Sequence, residues 1–173
     1  MRSLILGGAR SGKSALAERM AMASGSDVVY LATAQALDEE MAARIAHHRA
    51  QRPKYWHSVE EPLALADALL AHARQGRCVL VDCLTLWLSN ALGETDTQRY
   101  VRERDALLNV LPDLPGDILL VSNEVGLGVV PMGELSRRFV DEAGRLHQAL
   151  ATHCERVLFV AAGLPLALKG TLP

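Results

Sequence analysis

Residues 7 to 14 read Gly7-Gly8-Ala9-Arg10-Ser11-Gly12-Lys13-Ser14, a spacing of glycines, one lysine and a closing hydroxyl that suits the cradling of phosphates. The order Gly-x4-Gly-Lys-Ser is the phosphate-binding loop pattern, and it follows the apolar run Leu4-Ile5-Leu6, as a strand–loop–helix context requires. Gly7, Gly8 and Gly12 let the backbone turn tightly and bring its N–H groups against phosphate oxygens. The helix that follows adds its positive end. Lys13 is the residue expected to reach the β/γ-phosphates, and Ser14 to offer its hydroxyl to Mg2+. The ligand class is therefore a nucleoside triphosphate with magnesium.

A second acid completes such a site. Cys78-Val79-Leu80-Val81-Asp82 is an apolar run ending in a carboxylate, and in phosphate-loop proteins an acid so placed helps to hold Mg2+. Asp82 is the candidate. The competing reading is that Asp82 caps a helix starting near Leu84, and the two roles are compatible. Further candidates lie in the segment 38–49. Read as a helix, Leu37, Met41, Ile45 and His48 share one stripe, while Glu40, Arg44, His47 and Gln51 share a polar one. A neutral imidazole can attack an α-phosphorus and carry a nucleotidyl group, and His47, on the stripe with Arg44, is placed for that. The plainer reading is two surface histidines on an amphipathic helix. The pair lacks HExxH zinc spacing. Ser122-Asn123-Glu124-Val125-Gly126-Leu127-Gly128-Val129-Val130-Pro131 reads either as a functional loop, with Glu124 a base or a hydrogen-bond acceptor, or as a structural one. It is neither a dinucleotide fingerprint nor the Asn-Lys-x-Asp guanine-reading motif.

These residues need elements to hold them. Near-continuous apolar runs predict strands over 4–6, 28–31, 79–81, 118–121 and 157–160, covered on both faces. Periodicity predicts helices over 13–23, 38–51, 63–74, 97–111 and 133–152. Alternating strand and helix makes an α/β fold, a mostly parallel sheet flanked by helices. At 173 residues the chain suits a single nucleotide-binding domain, 1–173. A net charge of -2 leaves no electrostatic footprint for nucleic acid. The longest apolar stretches are of strand length, so neither a membrane-inserted segment nor a signal peptide ahead of the first strand is expected. Cys78, Cys83 and Cys154 fit no metal spacing and read as buried free thiols in a reducing cytoplasm. Trp56 and Trp87 read as core.

Together these blocks resemble one family. The likeness adds Tyr30-Leu31-Ala32-Thr33-Ala34, Arg52-Pro53, Trp56, Glu60, the run from Val81 to Asn90, Ala143-Gly144-Arg145-Leu146-His147-Gln148 and Ala162-Gly163-Leu164-Pro165 to the motifs above. The chain is similar, over nearly its whole length, to the bifunctional adenosylcobinamide kinase/adenosylcobinamide-phosphate guanylyltransferases of cobalamin biosynthesis. The resemblance implies a three-layer, RecA-like P-loop NTPase fold and two reactions. ATP or GTP phosphorylates adenosylcobinamide. GTP then guanylylates an enzyme histidine, releasing pyrophosphate, and GMP passes to adenosylcobinamide phosphate to give adenosylcobinamide-GDP. Carried over by position, the catalytic set is His47, His48 and Lys13, with His47 favoured as the GMP carrier. The nucleotide-binding set is Gly7 to Ser14, Ala32, Thr33, Ala34, Arg49, Ala50, Gln51, Arg52, Glu60 and Asp82, with Mg2+ on Ser14 and Asp82. The likeness also implies a homo-oligomer. His147 stands where the family often has Asn, and Val140 where it often has Arg. The rival readings are a phosphate-loop small-molecule kinase without nucleotidyl transfer, and a nucleotide-dependent switch or nucleic-acid motor.

Overall fold

An unbroken apolar strand is stable only where side chains on both sides of the sheet are covered. In the computed structural model, which describes residues 1–36 and 39–173, that condition is met by helices on two faces. Leu37 and Asp38 lie outside the described residues, as do the side chains of Glu40, Met41, Arg44, His47, His48 and Gln51.

The strands are β1 (Arg2–Gly7), β2 (Asp27–Ala32), β3 (His57–Glu60), β4 (Arg77–Asp82), β5 (Asp117–Asn123), β6 (Arg156–Ala161) and β7 (Leu164–Lys169). The helices are α1 (Lys13–Ala23), α2 (Glu39–Gln51), α3 (Leu65–His72), α4 (Leu84–Gly93), α5 (Arg99–Val110) and α6 (Glu134–His153). One sheet holds all seven strands in the order β3-β2-β4-β5-β1-β6-β7. Every pairing is parallel except β6 with β7.

Side chains alternate across this sheet. Leu4, Leu6, Val29, Leu31, Val79, Val81, Ile118 and Leu120 face one side and pack with Leu65, Leu69, Trp87, Leu88, Tyr100, Leu107, Leu146 and Leu150 of α3 to α6. Ile5, Val28, Tyr30, Leu80, Leu119 and Val121 face the other and pack against Leu16, Ala17 and Ala21 of α1, with Trp56 beside them. Small residues on α1 bring it close to β1, β4 and β5. Both tryptophans are buried, and so are the three unpaired cysteines.

All five expected strands are present, and α1 has the expected bounds. Helix α3 is shorter than 63–74 because Glu61 intercepts the chain. Its Oε1 accepts from the amides of Leu63 and Ala64, at 2.9 and 2.8 Å, which sets the entry to the helix. Periodicity alone omitted β3 and β7, the two edge strands. His57-Ser58-Val59-Glu60 carries one apolar residue and has no hydrophobic run to find. In β7, Leu164, Leu166 and Leu168 are exposed, and Ala167 packs inward. Residues 171–173 carry no regular structure.

Candidate functional site

The carboxyl ends of the parallel strands meet at one edge of the sheet, where open α/β folds bind ligands. The loop between β1 and α1 lies there. Its backbone takes positive φ at Gly7 (152°), Arg10 (55°) and Gly12 (99°). A Cβ on Gly7 would overlap the Val160 carbonyl oxygen, so β6 passes too close for any side chain. The loop is held from three directions. Ser11 N–H donates to the Gly8 carbonyl at 3.3 Å, Glu124 N–H to the Gly7 carbonyl at 2.9 Å, and Gly163 N–H to the Ser11 carbonyl at 2.8 Å. The last contact comes from the β6–β7 turn, where Ala162 and Gly163 also have positive φ. Lys13, 6% exposed, folds back over the loop. Its Nζ donates to the Gly8 carbonyl at 2.5 Å and lies 3.4 Å from Ser11 Oγ. Burial holds the ammonium below the usual lysine range, while Cys83 and Asp82 oppose that shift. A partly desolvated cation on a glycine-rich loop at a helix N-terminus favours an anion.

The loop forms one wall of a cleft of about 1060 Å3. Ala9, Arg10, Ser11, Gly12, Lys13 and Ser14 line it with Tyr30, Asp82 and Asn123 at the strand ends. Ala42, Ile45, Ala46 and Arg49 of α2 line the opposite side, with Arg52, Ser58 and Glu60. Asp82 does not cap α4, whose N-cap is Cys83 and lacks a side-chain cap. Its Oδ2 instead accepts from the Tyr30 hydroxyl at 2.8 Å. Burial, then the charge of Asp82, pushes the Tyr30 phenol well above the usual tyrosine range, so it stays a donor. The Arg52 guanidinium lies 3.4 Å over the Tyr30 ring. Arg49 and Glu60, both largely exposed, form an ion pair across the cleft mouth.

The candidate residues thus fall into three groups. Ala9 to Ser14, Ala32, Ala34, Arg49, Arg52, Glu60 and Asp82 share the cleft. Thr33 is fully buried and is not among the residues lining the cleft; its Oγ1 donates to the Cys83 carbonyl at 2.7 Å and accepts from Cys83 N–H at 2.9 Å. Gly7, Gly8 and Ala50 are not among the residues lining the cleft. The side chains of Gln51, His47 and His48 lie outside the described residues, although α2 itself borders the cleft.

Asn90 was not singled out by type or spacing. Its Nδ2 donates to the Thr33 carbonyl at 2.8 Å and the Pro62 carbonyl at 3.1 Å, tying the ends of β2 and β3 to α4. The segment after β5 divides in role. Asn123 lines the cleft. Glu124 accepts from Gly126 N–H at 2.5 Å and faces the buried His147, whose Nδ1 is 3.7 Å away. His147 Nε2 meets Ser122 Oγ at 2.7 Å, and Thr85 Oγ1, 3.4 Å from Ser122 Oγ, accepts from Asn123 N–H at 2.7 Å. Glu124 therefore braces the loop, while Leu127, Val129, Val130 and Met132 stand exposed on it.

Comparison with known proteins agrees with this geometry. The family described as cobinamide kinase / cobinamide phosphate guanyltransferase matches residues 3–168. The chain is 67% identical over 170 residues to the bifunctional adenosylcobalamin biosynthesis protein CobP of Pseudomonas aeruginosa, covering 98% of each chain. It is 39% identical to the bifunctional adenosylcobalamin biosynthesis protein CobU of Escherichia coli K12, covering 98% of this chain and all of that one. Among solved structures, the RadB recombinase superposes with a TM-score of 0.51 at 16% identity, covering 91% of this chain and 73% of that one. A Pyrococcus horikoshii protein described as a structural study of PH0250 gives 0.55 at 10% identity, covering 99% and 87%. At such identities these likenesses concern the fold, which is that of the P-loop NTPases.

Proposed function

Because the chain belongs to the cobinamide kinase / cobinamide phosphate guanyltransferase family, we propose that this one cleft serves both activities of a bifunctional enzyme, using one triphosphate cradle. The observation that carries this is the convergence of Lys13, Ser14, Asp82, Arg52 and helix α2 on one cleft.

In the kinase reaction the γ-phosphoryl of ATP or GTP passes to the hydroxyl of adenosylcobinamide. Loop amides and Lys13 stabilise charge on the phosphate oxygens as the bond to the β-phosphate breaks. In the guanylyltransferase reaction an imidazole nitrogen of His47 attacks the α-phosphorus of GTP. The N–P bond forms, the bond to the bridging oxygen breaks and pyrophosphate leaves. The phosphate of adenosylcobinamide phosphate then attacks the same phosphorus, the N–P bond breaks, and adenosylcobinamide-GDP is released. Covalent storage splits one transfer between two large anions into two displacements. Arg49 and Arg52 offset charge on the departing pyrophosphate, a role supported by their both lining the cleft.

The Ser14 hydroxyl and the Asp82 carboxylate are hard oxygen donors bordering the same cleft, a set that fits Mg2+. When bound there, Mg2+ supplies charge neutralisation between phosphate oxygens. Among the described residues, no cluster of His, Cys, Asp and Glu suggests another metal. The same reading carries one domain over 1–173, a homo-oligomer, a cytoplasmic setting and no nucleic-acid partner. The single sheet, the buried free thiols and the net charge of -2 support three of these. No described helix is long and apolar enough to cross a membrane.

The test is incubation with α-labelled GTP and Mg2+, followed by denaturation and mapping of acid-labile label. Label on wild type that disappears in His47→Asn supports the histidine carrier. Full label in His47→Asn moves the role to His48. Absence of label with GTP binding intact leaves the kinase alone.

A further inference from the structure

We infer that Tyr30 is a positioning residue for both charged groups on its side of the cleft: its hydroxyl aims the Asp82 carboxylate and its ring seats the Arg52 guanidinium. The inference rests on the cleft being a magnesium–nucleotide site.

Tyr30 is 2% exposed, so packing fixes its ring before any ligand arrives. Its position follows from the register of adjacent parallel strands, in which Tyr30 pairs with Leu80 and Ala32 with Asp82. Tyr30 therefore reaches forward by one pleat to meet the acid at the end of β4. A carboxylate at a strand end is free to turn about its last torsion, which is broad. The 2.8 Å hydrogen bond from a buried phenol removes that freedom by engaging Oδ2, and Oδ1 is left as the atom to face the cleft. This is how partners behind a metal-ligating carboxylate set its direction. The ring does a separate task. The guanidinium carbon lies 3.4 Å from the ring centroid, and Arg52 Nε has no hydrogen-bond partner among the described residues. Stacking rather than a bond at Nε fixes that end of the side chain.

The two tasks separate by substitution. Tyr30→Phe keeps the ring and removes the hydroxyl; Tyr30→Leu removes both. Mn2+ binding to the GTP complex is read by electron paramagnetic resonance, and GTP binding in EDTA by equilibrium dialysis. Tyr30→Phe is expected to weaken Mn2+ binding by roughly tenfold or more, the range for partners behind a ligand, with GTP binding in EDTA within about twofold of wild type, since the metal is absent there. Tyr30→Leu is expected to weaken both. Combined with Asp82→Asn, Tyr30→Phe should have no further effect on Mn2+, because it acts through that carboxylate. A Tyr30→Phe protein with wild-type Mn2+ affinity, or a full additional loss in the Asp82→Asn background, overturns the inference while the site reading stands. Wild-type protein whose GTP complex binds no Mn2+ overturns the site reading itself, and the inference with it.

Discussion

Asn90 offers a measurable link between the helical layer and the cleft. Substituting Asn90→Ala removes both hydrogen bonds from its amide. The Thr33 residue is fully buried, so its carbonyl loses a partner where water does not replace it, at about 1–3 kcal/mol. Pro62 is half-buried; its carbonyl regains water and the loss is about 0.5–1.5 kcal/mol. The sum is roughly 2–4 kcal/mol. For a chain of this size each kcal/mol moves Tm by about 2–4 °C, so Tm falls by roughly 4–16 °C. Urea unfolding followed by tryptophan fluorescence reads the loss directly, since Trp87 is wholly buried beside this contact, its Nε1 donating to the Leu63 carbonyl at 2.8 Å. Asn90→Asp should be worse than Asn90→Ala above neutral pH, because it turns a carboxylate toward two carbonyl oxygens. The loosened ends of β2 and β3 carry Ala32, Ala34 and Glu60, so GTP affinity should fall with stability. An Asn90→Ala protein within about 0.5 kcal/mol of wild type, the range of ordinary surface substitutions, refutes the account.

Gly7→Ala places a methyl on the Val160 carbonyl at a residue with φ of 152°, in a central strand pairing that has no slack. Strain alone is about 1–3 kcal/mol, and the backbone overlap adds to it, so loss of GTP binding and a depressed urea midpoint should appear together. His147 yields a pH signature. Burial holds its imidazole below the usual histidine range, with Glu124 opposing. The unfolded chain then binds a proton that the folded one refuses, so stability is full above pH 6.5 and falls as pH drops below it. His147→Asn should flatten the decline in Tm between pH 7.5 and 5.5; an unchanged slope would assign the decline to other groups.

Much of this arrangement was legible before any coordinates. The apolar runs ending at Gly7, Asp82 and Asn123 located the strand ends, and the glycine–lysine–serine spacing located the tight turn between β1 and α1, because strict steric demands restrict which residues fit. The edge strands were not legible. A strand paired on one side needs no continuous apolar run, and His57-Ser58-Val59-Glu60 has none. Long-range hydrogen bonds were hidden as well. Asn90 lies 57 residues from Thr33, and Tyr30 lies 52 from Asp82. Composition and periodicity hold no information about which polar side chains meet after folding. The bonds from Thr33 Oγ1 to the Cys83 backbone, 50 residues away, were equally hidden.

The brace on the phosphate loop has a consequence in time. Strand β1 is made before both its neighbours, β5 and β6, which lie more than 100 residues downstream, and the amide that holds Ser11 belongs to Gly163. During synthesis at about 5–20 residues per second, roughly 150 residues separate the two, or about 8–30 s. Through that interval Gly7 to Ser14 has its sequence but not its shape. A ribosome-bound chain halted before residue 156 would lack β6, β7 and the turn between them, and should not retain nucleotide. The loop before α1 is complete only once residues more than 140 positions downstream have been made.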